Sequence, residues 1–401
     1  MSITKPESVV IIGAGVTGLS TAFHLVEKGV ESVVIVDKGT VGCGSSLQAG
    51  GIVTMLMPKE TAIRARAISI DLFERFSKML DGYQYHQVGC MNLFTTQEIS
   101  RVAKHWDLQK KLGASFEILN GREITDRFPD IEVNKTDYGI LDLRGGYSEP
   151  HKYIPALKTK LDDMGVVFRE NEPVTGFEIF NSQINSIITK KETIKADAVV
   201  CTINAWTNHL LSPVGFEIPY KNFVHERFVT KPLSKPIQLP VINDNIFNSY
   251  IRPTEDNRLL VGTGNHDSTA FEMHGPNFSV DELEPDPRAL PYIKEKMTNR
   301  TQILKEVDWD YHTVGLISLS QDVQPVIGPV PNIKGLYVGT NFHSGGFAYN
   351  PVSGLLIAEH VVDDKTRFNT DIYSPNRFVN FDTEGFLSKP LMHSEIGNVR
   401  H

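Results

Sequence analysis

The chain has 401 residues, of which 40% are hydrophobic and 22% are charged, so it is long enough for two globular domains and too apolar for a disordered protein. Its formal net charge of -8 argues against a nucleic-acid-binding protein, because such proteins cluster Lys and Arg, which are scattered here. The cysteines, histidines and carboxylates show no metal-ligand spacing, and no apolar run is long enough to span a membrane, so we expect a metal-free, reduced, cytoplasmic protein.

The first organised stretch covers residues 8–37. An apolar run at residues 9–12 leads into a glycine-rich turn, a helical pattern and a second apolar run that ends in Asp37. This order of strand, turn, helix and strand is typical of dinucleotide binding, and the turn is expected to meet a pyrophosphate at the positive end of the helix; it reads Gly13-Ala14-Gly15-Val16-Thr17-Gly18. Asp37 is expected to accept hydrogen bonds from ribose hydroxyls. The alternative is an ordinary glycine-rich turn in a parallel sheet.

A second segment of small residues follows Asp37 directly. A simple NAD-binding unit would continue into its next helix at this point, whereas this loop lets backbone approach a ligand closely over a longer distance. The pattern therefore favours FAD, and the residues expected to contact it are Lys38, Ser45, Ser46, Gln48, Ala49, Gly50, Gly51 and Ile52.

Together these segments resemble the FAD-dependent oxidoreductases of the D-amino-acid oxidase superfamily. Within it, the chain is similar to the branch of sarcosine oxidase, glycine oxidase and the beta subunits of dye-linked proline dehydrogenase. The resemblance implies an α/β fold (α+β overall), with a Rossmann-like FAD-binding domain and a second, largely antiparallel β-sheet substrate domain. The expected bounds are 1–85, 145–215 and 310–380 for the first domain, 86–144 and 216–309 for the second, and 381–401 for a C-terminal tail.

The resemblance also implies further FAD-binding residues. Val174 stands where the family reads adenine through its backbone, and the segment at 202–206 stands beside the pyrophosphate. Asn204 replaces the family's glycine there, which is tolerable because Asn adopts left-handed conformations readily. Two later segments, at Gly315 and from Ser344 onward, are expected to meet the flavin. The further FAD-binding residues implied by the resemblance are Val174, Thr202, Asn204, Trp206, Gly315, Ser344, Gly345, Gly346, Phe347 and Ala348. The family's tethering cysteine is absent, so we expect non-covalent FAD.

Candidate catalytic residues are fewer. Tyr250 falls at the position of a family tyrosine that faces the flavin, His266 lies near a family histidine, and His343 precedes the last glycine pair. If the substrate carries a carboxylate, Arg252 is the expected cation, because positions 250 and 252 project from one face of a strand. The alternative for Arg252 is a surface or interdomain salt-bridge residue. Residues 59–80 read as a long amphipathic helix whose Arg64 and Arg66 are interpreted as solvated.

The resemblance implies FAD-dependent oxidation of a small or secondary amino acid, such as proline, sarcosine or glycine, by hydride transfer from the C–N carbon to flavin N5. The partners would be an amino acid or amine substrate, oxygen or another electron acceptor, and, in a hetero-oligomeric dehydrogenase, a partner subunit. Two alternatives stay open, namely a 2-hydroxy acid or glycerol 3-phosphate dehydrogenase and a non-catalytic flavin-binding subunit of a larger complex. Ile317 replaces the arginine with which glycine oxidases hold the carboxylate, which keeps the first alternative open.

Overall fold

The computed structural model describes residues 5–263, 269–392 and 395. In chain order the strands are β1 (Ser8–Ile12), β2 (Ser32–Val36), β3 (Ile52–Val53), β4 (Tyr85–His86), β5 (Cys90–Phe94), β6 (Phe116–Asn120), β7 (Tyr138–Asp142), β8 (Gly146–Ser148), β9 (Val167–Arg169), β10 (Val174–Phe180), β11 (Gln183–Thr189), β12 (Thr193–Lys195), β13 (Ala198–Cys201), β14 (Tyr220–Thr230), β15 (Val241–Asp244), β16 (Ser249–Pro253), β17 (Leu259–Thr263), β18 (Trp309–Ser320), β19 (Val326–Pro329) and β20 (Leu336–Thr340). The helices are α1 (Val16–Glu27), α2 (Glu60–Met79), α3 (Thr96–Ala103), α4 (Trp106–Lys111), α5 (Gly121–Arg127), α6 (Pro150–Asp163), α7 (Thr207–Leu211), α8 (Ala289–Met297), α9 (Gly346–Val362) and α10 (Thr383–Leu387).

A six-stranded sheet forms the first layer, in the order β19-β20-β13-β1-β2-β9. Its neighbours are parallel except for the antiparallel pair of β19 and β20. β1 and β13 are continuous apolar runs because both faces of these central strands are covered. The carboxyl ends of β1, β2 and β13 therefore meet at one edge of the sheet.

Helices α1, α2 and α9 pack together against this sheet and form its main core. Phe23 and Phe76 are at most 1% exposed and meet edge to face, with ring centroids 5.1 Å apart. Burying each ring contributes on the order of 2 kcal/mol. No helix in the described ranges is both long and apolar enough to cross a membrane.

An eight-stranded sheet forms the second layer, in the order β18-β14-β17-β16-β15-β5-β7-β6. It is antiparallel apart from the parallel pair of β15 and β5. The predicted fold class, a Rossmann-like domain with a largely antiparallel second sheet, is confirmed.

Two details differ from the sequence expectations. β18 pairs with β14 in the eight-stranded sheet, whereas the predicted boundary at 310 assigns most of it to the first domain. Residues 85–94 form two strands in different sheets instead of one, because Gly89 turns the chain with a φ of 83°. The division into two domains remains a prediction.

Candidate functional site

A cavity of about 480 Å³ runs from the carboxyl ends of β1, β2 and β13 to the eight-stranded sheet. Its glycine-turn end is defined by Gly13, Asp37 and Thr202, which follow those three strands. Its tyrosine end is defined by Tyr250 and His225, which lie on β16 and β14. Ligands of open parallel sheets bind at such carboxyl edges, so the topology places a binding site here.

The glycine turn has the geometry that the sequence predicts. Gly13 has a φ of 109°, and a Cβ there would lie 2.9 Å from the carbonyl oxygen of Thr202. A Cβ on Gly18 would overlap the carbonyl oxygen of Gly13, so α1 lies directly against the turn. Gly13, Gly15, Val16 and Thr17 line the cavity.

Ala14 and Gly18 were predicted to contact the cofactor, but they are not among the cavity-lining residues. The N–H of Ala14 donates to Oδ2 of Asp37 at 2.7 Å. Gly18 packs directly against the carbonyl group of Gly13. These two residues therefore support the turn from behind.

The carboxylate of Asp37 is held by backbone. Oδ2 accepts the N–H of Ala14, and Oδ1 accepts the N–H of Gly39 at 2.8 Å. Burial raises the pKa of Asp37, and the two hydrogen bonds counteract part of that effect. Each oxygen keeps capacity for another hydrogen bond, so hydroxyl groups of a ligand in the cavity can be accepted here.

Lys38 closes the same end of the cavity from the side. Its Nζ donates to the carbonyl oxygens of Pro276 at 3.1 Å and Phe278 at 2.5 Å, and it lies 4.0 Å from the centroid of a Trp206 ring. The segment at 276–280, which the sequence analysis did not single out, thereby covers this end.

The small-residue loop lines the cavity as expected, and the structure separates the roles of its two serines. Oγ of Ser46 accepts the N–H of Val16 at 3.1 Å, at the start of α1. Oγ of Ser45 donates to the carbonyl oxygen of Leu316 at 2.7 Å. Ser46 therefore lies at the α1 N-terminus, while Ser45 ties the loop to β18. The other predicted loop residues, Gln48, Ala49, Gly50, Gly51 and Ile52, also line the cavity.

The distant segments reach the same cavity. Asn204 has a φ of 44°, the left-handed conformation that its replacement of glycine requires, and its Oδ1 accepts the N–H of Asn341 at 3.2 Å. The remaining predicted cofactor residues line the wall as well, namely Val174, Thr202, Trp206, Gly315, Ser344, Gly345, Gly346, Phe347 and Ala348.

His343 lies in the wall before α9. Its Nδ1 accepts the N–H of Gly345 at 3.2 Å. Burial, with the nearby charge of Arg66, lowers the pKa of His343 to about 3, so the imidazole is neutral at physiological pH. The geometry gives His343 a role in shaping the chain before α9, and its predicted catalytic role remains untested.

Tyr250 and His225 define the tyrosine end. Their rings are parallel within 7°, with centroids 6.0 Å apart. The Tyr250 ring lies between Gly50 and Gly262, where a Cβ would come within 3.2 Å of it or overlap it, respectively. Asn243 also lines this end; it lies on β15, directly opposite Tyr250 on β16. Its Nδ2 donates to Oδ1 of Asn92 at 2.8 Å.

The sequence analysis missed His225 and Asn243 and named His266, which lies outside the described residues. The signal for His225 was its polar side chain within a strand whose residues alternate between the two sheet faces. Only the order of the sheet, in which β17 joins β14 to β16 and β16 pairs with β15, could show that these side chains share one cavity.

Arg252 does not line the cavity, which corrects the expectation that it holds a substrate carboxylate. Its side chain is 0% exposed, and Nη1 and Nη2 contact the two carboxylate oxygens of Glu149 at 2.8 and 2.9 Å. Its Nε donates to the carbonyl oxygen of Gly50 at 2.6 Å. The guanidinium is thus already neutralised, and it holds the loop that packs on Tyr250.

Arg66 was expected to be solvated, and this interpretation is wrong. Its side chain is buried and lines the cavity, whereas Arg64 is exposed and pairs with Glu60. Arg66 lies three residues after Ile63 and four before Ile70, so helical spacing places it on the buried face of α2. That spacing was the available signal.

Comparisons with known proteins identify the family of this chain. The sequence model of the family described as "FAD dependent oxidoreductase" matches residues 8–360. The chain is 25% identical over 405 residues to mitochondrial dimethylglycine dehydrogenase of Rattus norvegicus, covering 96% of this chain and 46% of that protein. It is 24% identical over 383 residues to sarcosine oxidase subunit beta of Arthrobacter sp, covering 93% and 91%. The chain thus spans less than half the length of the dimethylglycine dehydrogenases that it matches.

Among solved structures, the fold is similar to that of L-proline dehydrogenase from P. horikoshii. The TM-score is 0.84 at 22% identity, covering 94% of this chain and 98% of the other. Glycine oxidase from Bacillus cereus gives a TM-score of 0.75, also at 22% identity, covering 90% and 96%. At these identities the likeness describes the fold.

Proposed function

The chain belongs to the family of FAD dependent oxidoreductases, and from this premise we propose that it oxidises a small or secondary amino acid of the proline, sarcosine or glycine type. The observation that carries the proposal is the cavity itself. It joins the glycine turn, the small-residue loop and the start of α9 to an end lined by Tyr250 and His225. A dinucleotide and a small organic substrate can therefore share one space.

The residues present fit FAD. Helices α1 and α9 both begin at the cavity, and their N-cap residues, Gly15 and Gly345, provide no side-chain cap. Oγ of Ser46 accepts the Val16 N–H at the start of α1. The remaining N–H groups and the positive helix ends suit a pyrophosphate at α1 and a carbonyl or anionic ring edge at α9. Asp37 supplies acceptors for ribose hydroxyls. Non-covalent attachment is part of the proposal.

Held by these residues, FAD would supply at N5 the acceptor for a hydride equivalent from the substrate C–N carbon, and the amine would become an imine. The chain's own residues bind and orient the amine. The hydroxyl of Tyr250 and the imidazole of His225 offer hydrogen bonds to the amine nitrogen in its neutral form. Strands β14, β15 and β16 of the eight-stranded sheet provide His225, Asn243 and Tyr250 at this end of the cavity.

The substrate class is supported by the relatives, whose names specify dimethylglycine, sarcosine, proline and glycine. These compounds share an amine nitrogen one carbon away from a carboxylate. A relative named as a beta subunit makes a partner subunit part of the proposal. The cytoplasmic location and the electron acceptor remain predictions.

The test is anaerobic rapid mixing of the FAD-loaded protein with proline, sarcosine, dimethylglycine and glycine, while the absorbance of oxidised flavin is followed. Bleaching by at least one of them supports the proposal. Bleaching only by a 2-hydroxy acid or glycerol 3-phosphate would overturn it in favour of a hydroxyl-oxidising enzyme. Failure of every compound to bleach a loaded flavin would favour the non-catalytic flavin-binding subunit.

A further inference from the structure

Arg66 is a buried cation that lacks a carboxylate partner. Its side chain is 2% exposed, and among the described residues it takes part in no ion pair. Two other buried arginines do have such partners, since Arg252 pairs with Glu149 and Arg300 with Asp244, whereas buried Arg227 donates to neutral acceptors. An isolated buried charge is unfavourable, so such a side chain is normally kept for a ligand.

The immediate surroundings hold the guanidinium in place without neutralising it. Its Cζ lies 4.1 Å from the centroid of the Tyr349 ring, which supports the plane through a cation–π contact. Its Nε has no hydrogen-bond partner among the described atoms. Arg66 therefore keeps hydrogen-bonding capacity at a site where water is largely excluded.

The same guanidinium adjoins the N-terminus of α9. A Cβ at Gly345, the N-cap of that helix, would lie 2.5 Å from Nη2 of Arg66. Gly345 and Arg66 both line the cavity. A fixed cation and the positive end of a long helix thus converge on one part of the wall, where they would attract an anion.

Arg66 lines the same cavity as Tyr250. Gly50 packs on the Tyr250 ring, and the chain continues from there through β3 to Thr54, which lines the cavity together with Arg66. The other lysines and arginines that line the described cavity are Lys38 and Lys190, which lie beside Asp37 and next to β11. Arg66 is therefore the guanidinium available to a small ligand at the tyrosine end.

We propose that Arg66 binds the carboxylate of the substrate and thereby selects amino acids over simple amines. The inference rests on the proposed function and deepens it. A carboxylate matches the planar fork of a guanidinium, and its attachment there leaves the amine free to approach Tyr250 and His225. An amine without a carboxylate would leave Arg66 buried and uncompensated, so it would bind poorly.

Arg227 is the other buried arginine to consider. It donates to neutral acceptors, the hydroxyl of Thr313 and the carbonyl oxygen of Leu47, and it is absent from the cavity lining. Its position behind the loop makes it a support for residues 47–50. Arg66 is the better candidate because it reaches the cavity.

The experiment measures the binding of a carboxylate that cannot be oxidised. Pyrrole-2-carboxylate and its neutral carboxamide are titrated into the FAD-loaded protein, and the perturbation of the flavin spectrum gives each dissociation constant. The variants are Arg66→Met and Arg66→Lys. The matched control is Arg64→Met, which removes an exposed arginine from the same helix.

We expect Arg66→Met to weaken carboxylate binding about 100-fold and Arg66→Lys about tenfold, because a charge-assisted bidentate contact is lost or reduced. Carboxamide binding should change less than about threefold in every variant, and Arg64→Met should match the wild type. Equal weakening of both ligands, unchanged carboxylate binding, or no carboxylate binding by the wild type would each overturn the proposal.

Two further measurements keep the outcome decisive. If Arg66→Met does not retain FAD, the ratio of carboxylate to carboxamide affinity in Arg66→Lys decides. If the variants lower the flavin reduction potential but leave carboxylate binding intact, Arg66 serves the flavin and the proposal is wrong. The titration needs no turnover, so it stands even if no amine bleaches the flavin and the proposed function fails.

Discussion

The glycine-turn end of the cavity is built largely from neighbouring residues, whereas the tyrosine end is assembled from elements far apart in the chain. Gly13, Val16 and Asp37 belong to one strand-helix-strand unit, and backbone groups do most of the work there. Arg66, His225 and Tyr250 come from α2, β14 and β16, and they act through side chains. Changes at the first end should therefore abolish cofactor binding, while changes at the second should alter chemistry and selectivity.

The largest effect is expected from Gly18→Ala. The new Cβ would overlap the carbonyl oxygen of Gly13, and rigid backbone cannot move aside. We expect a loss of FAD and a decrease of more than about 4 kcal/mol in the free energy of unfolding, measured by flavin content and chemical denaturation. Gly176→Ala is the control, because its Cβ would meet only a side-chain carbon at 3.9 Å. Normal flavin content in Gly18→Ala would contradict the close packing.

The second-largest effect is expected from breaking the ion pair of Arg252 and Glu149, which holds the loop at Gly50 between the two ends of the cavity. Glu149→Gln leaves a buried cation unpaired and should lower the free energy of unfolding by about 3 kcal/mol, whereas Arg252→Met with Glu149→Met should cost less than either single change. Lys158→Met, which removes an exposed pair with Asp162, is the control. A raised KM with unchanged stability in Arg252→Met would instead restore Arg252 as a substrate ligand.

The same pair gives stability a pH dependence. Burial raises the pKa of Glu149, but the charge and hydrogen bonds of Arg252 outweigh burial and hold the pKa below its ordinary value of 4.5. The stabilisation is therefore complete above pH 4.5 and is lost as the pH falls toward the folded pKa. The free energy of unfolding, measured by chemical denaturation at several pH values in this range, should change less with pH for Glu149→Gln than for the wild type.

Tyr250→Phe and His225→Leu test the tyrosine end. Each removes a hydrogen-bonding group beside the reacting amine and should slow flavin reduction about 30-fold, with normal FAD content. Rapid mixing gives the rate, and Tyr311→Phe, at an exposed tyrosine, should not change it. Loss of FAD in either variant would mean that the two ends are not separable.

The smallest effect is expected from His343→Asn. The residue has a φ of 47°, which Asn tolerates, and the amide oxygen can replace Nδ1 as acceptor for the Gly345 N–H. Reduction rates should stay within about threefold of the wild type, with no pH break from this group between about pH 5 and pH 9. His343→Val, strained at positive φ, should lose about 1–2 kcal/mol of stability. A large rate loss in His343→Asn would indicate a catalytic imidazole.

The sequence alone determined the glycine-turn end and the general fold. A tight turn, a helix N-terminus and a carboxylate at fixed spacing leave their mark on consecutive residues, so Gly13, Ser46 and Asp37 could be found without coordinates. The small-residue loop and the glycine pair at the start of α9 likewise indicated that backbone approaches a ligand closely. Local geometry sufficed because the backbone supplies the contacts.

Only the tertiary structure decided the tyrosine end. Spacing along β16 put Tyr250 and Arg252 on one face, but the carboxylate that neutralises Arg252 comes from Glu149, 103 positions earlier in the chain. Helical spacing placed Arg66 on the buried face of α2, but the helix alone does not show which elements cover that side chain or whether its charge is paired. The burial and pairing of a charge depend on elements distant in sequence, and those distances exist only in the folded chain.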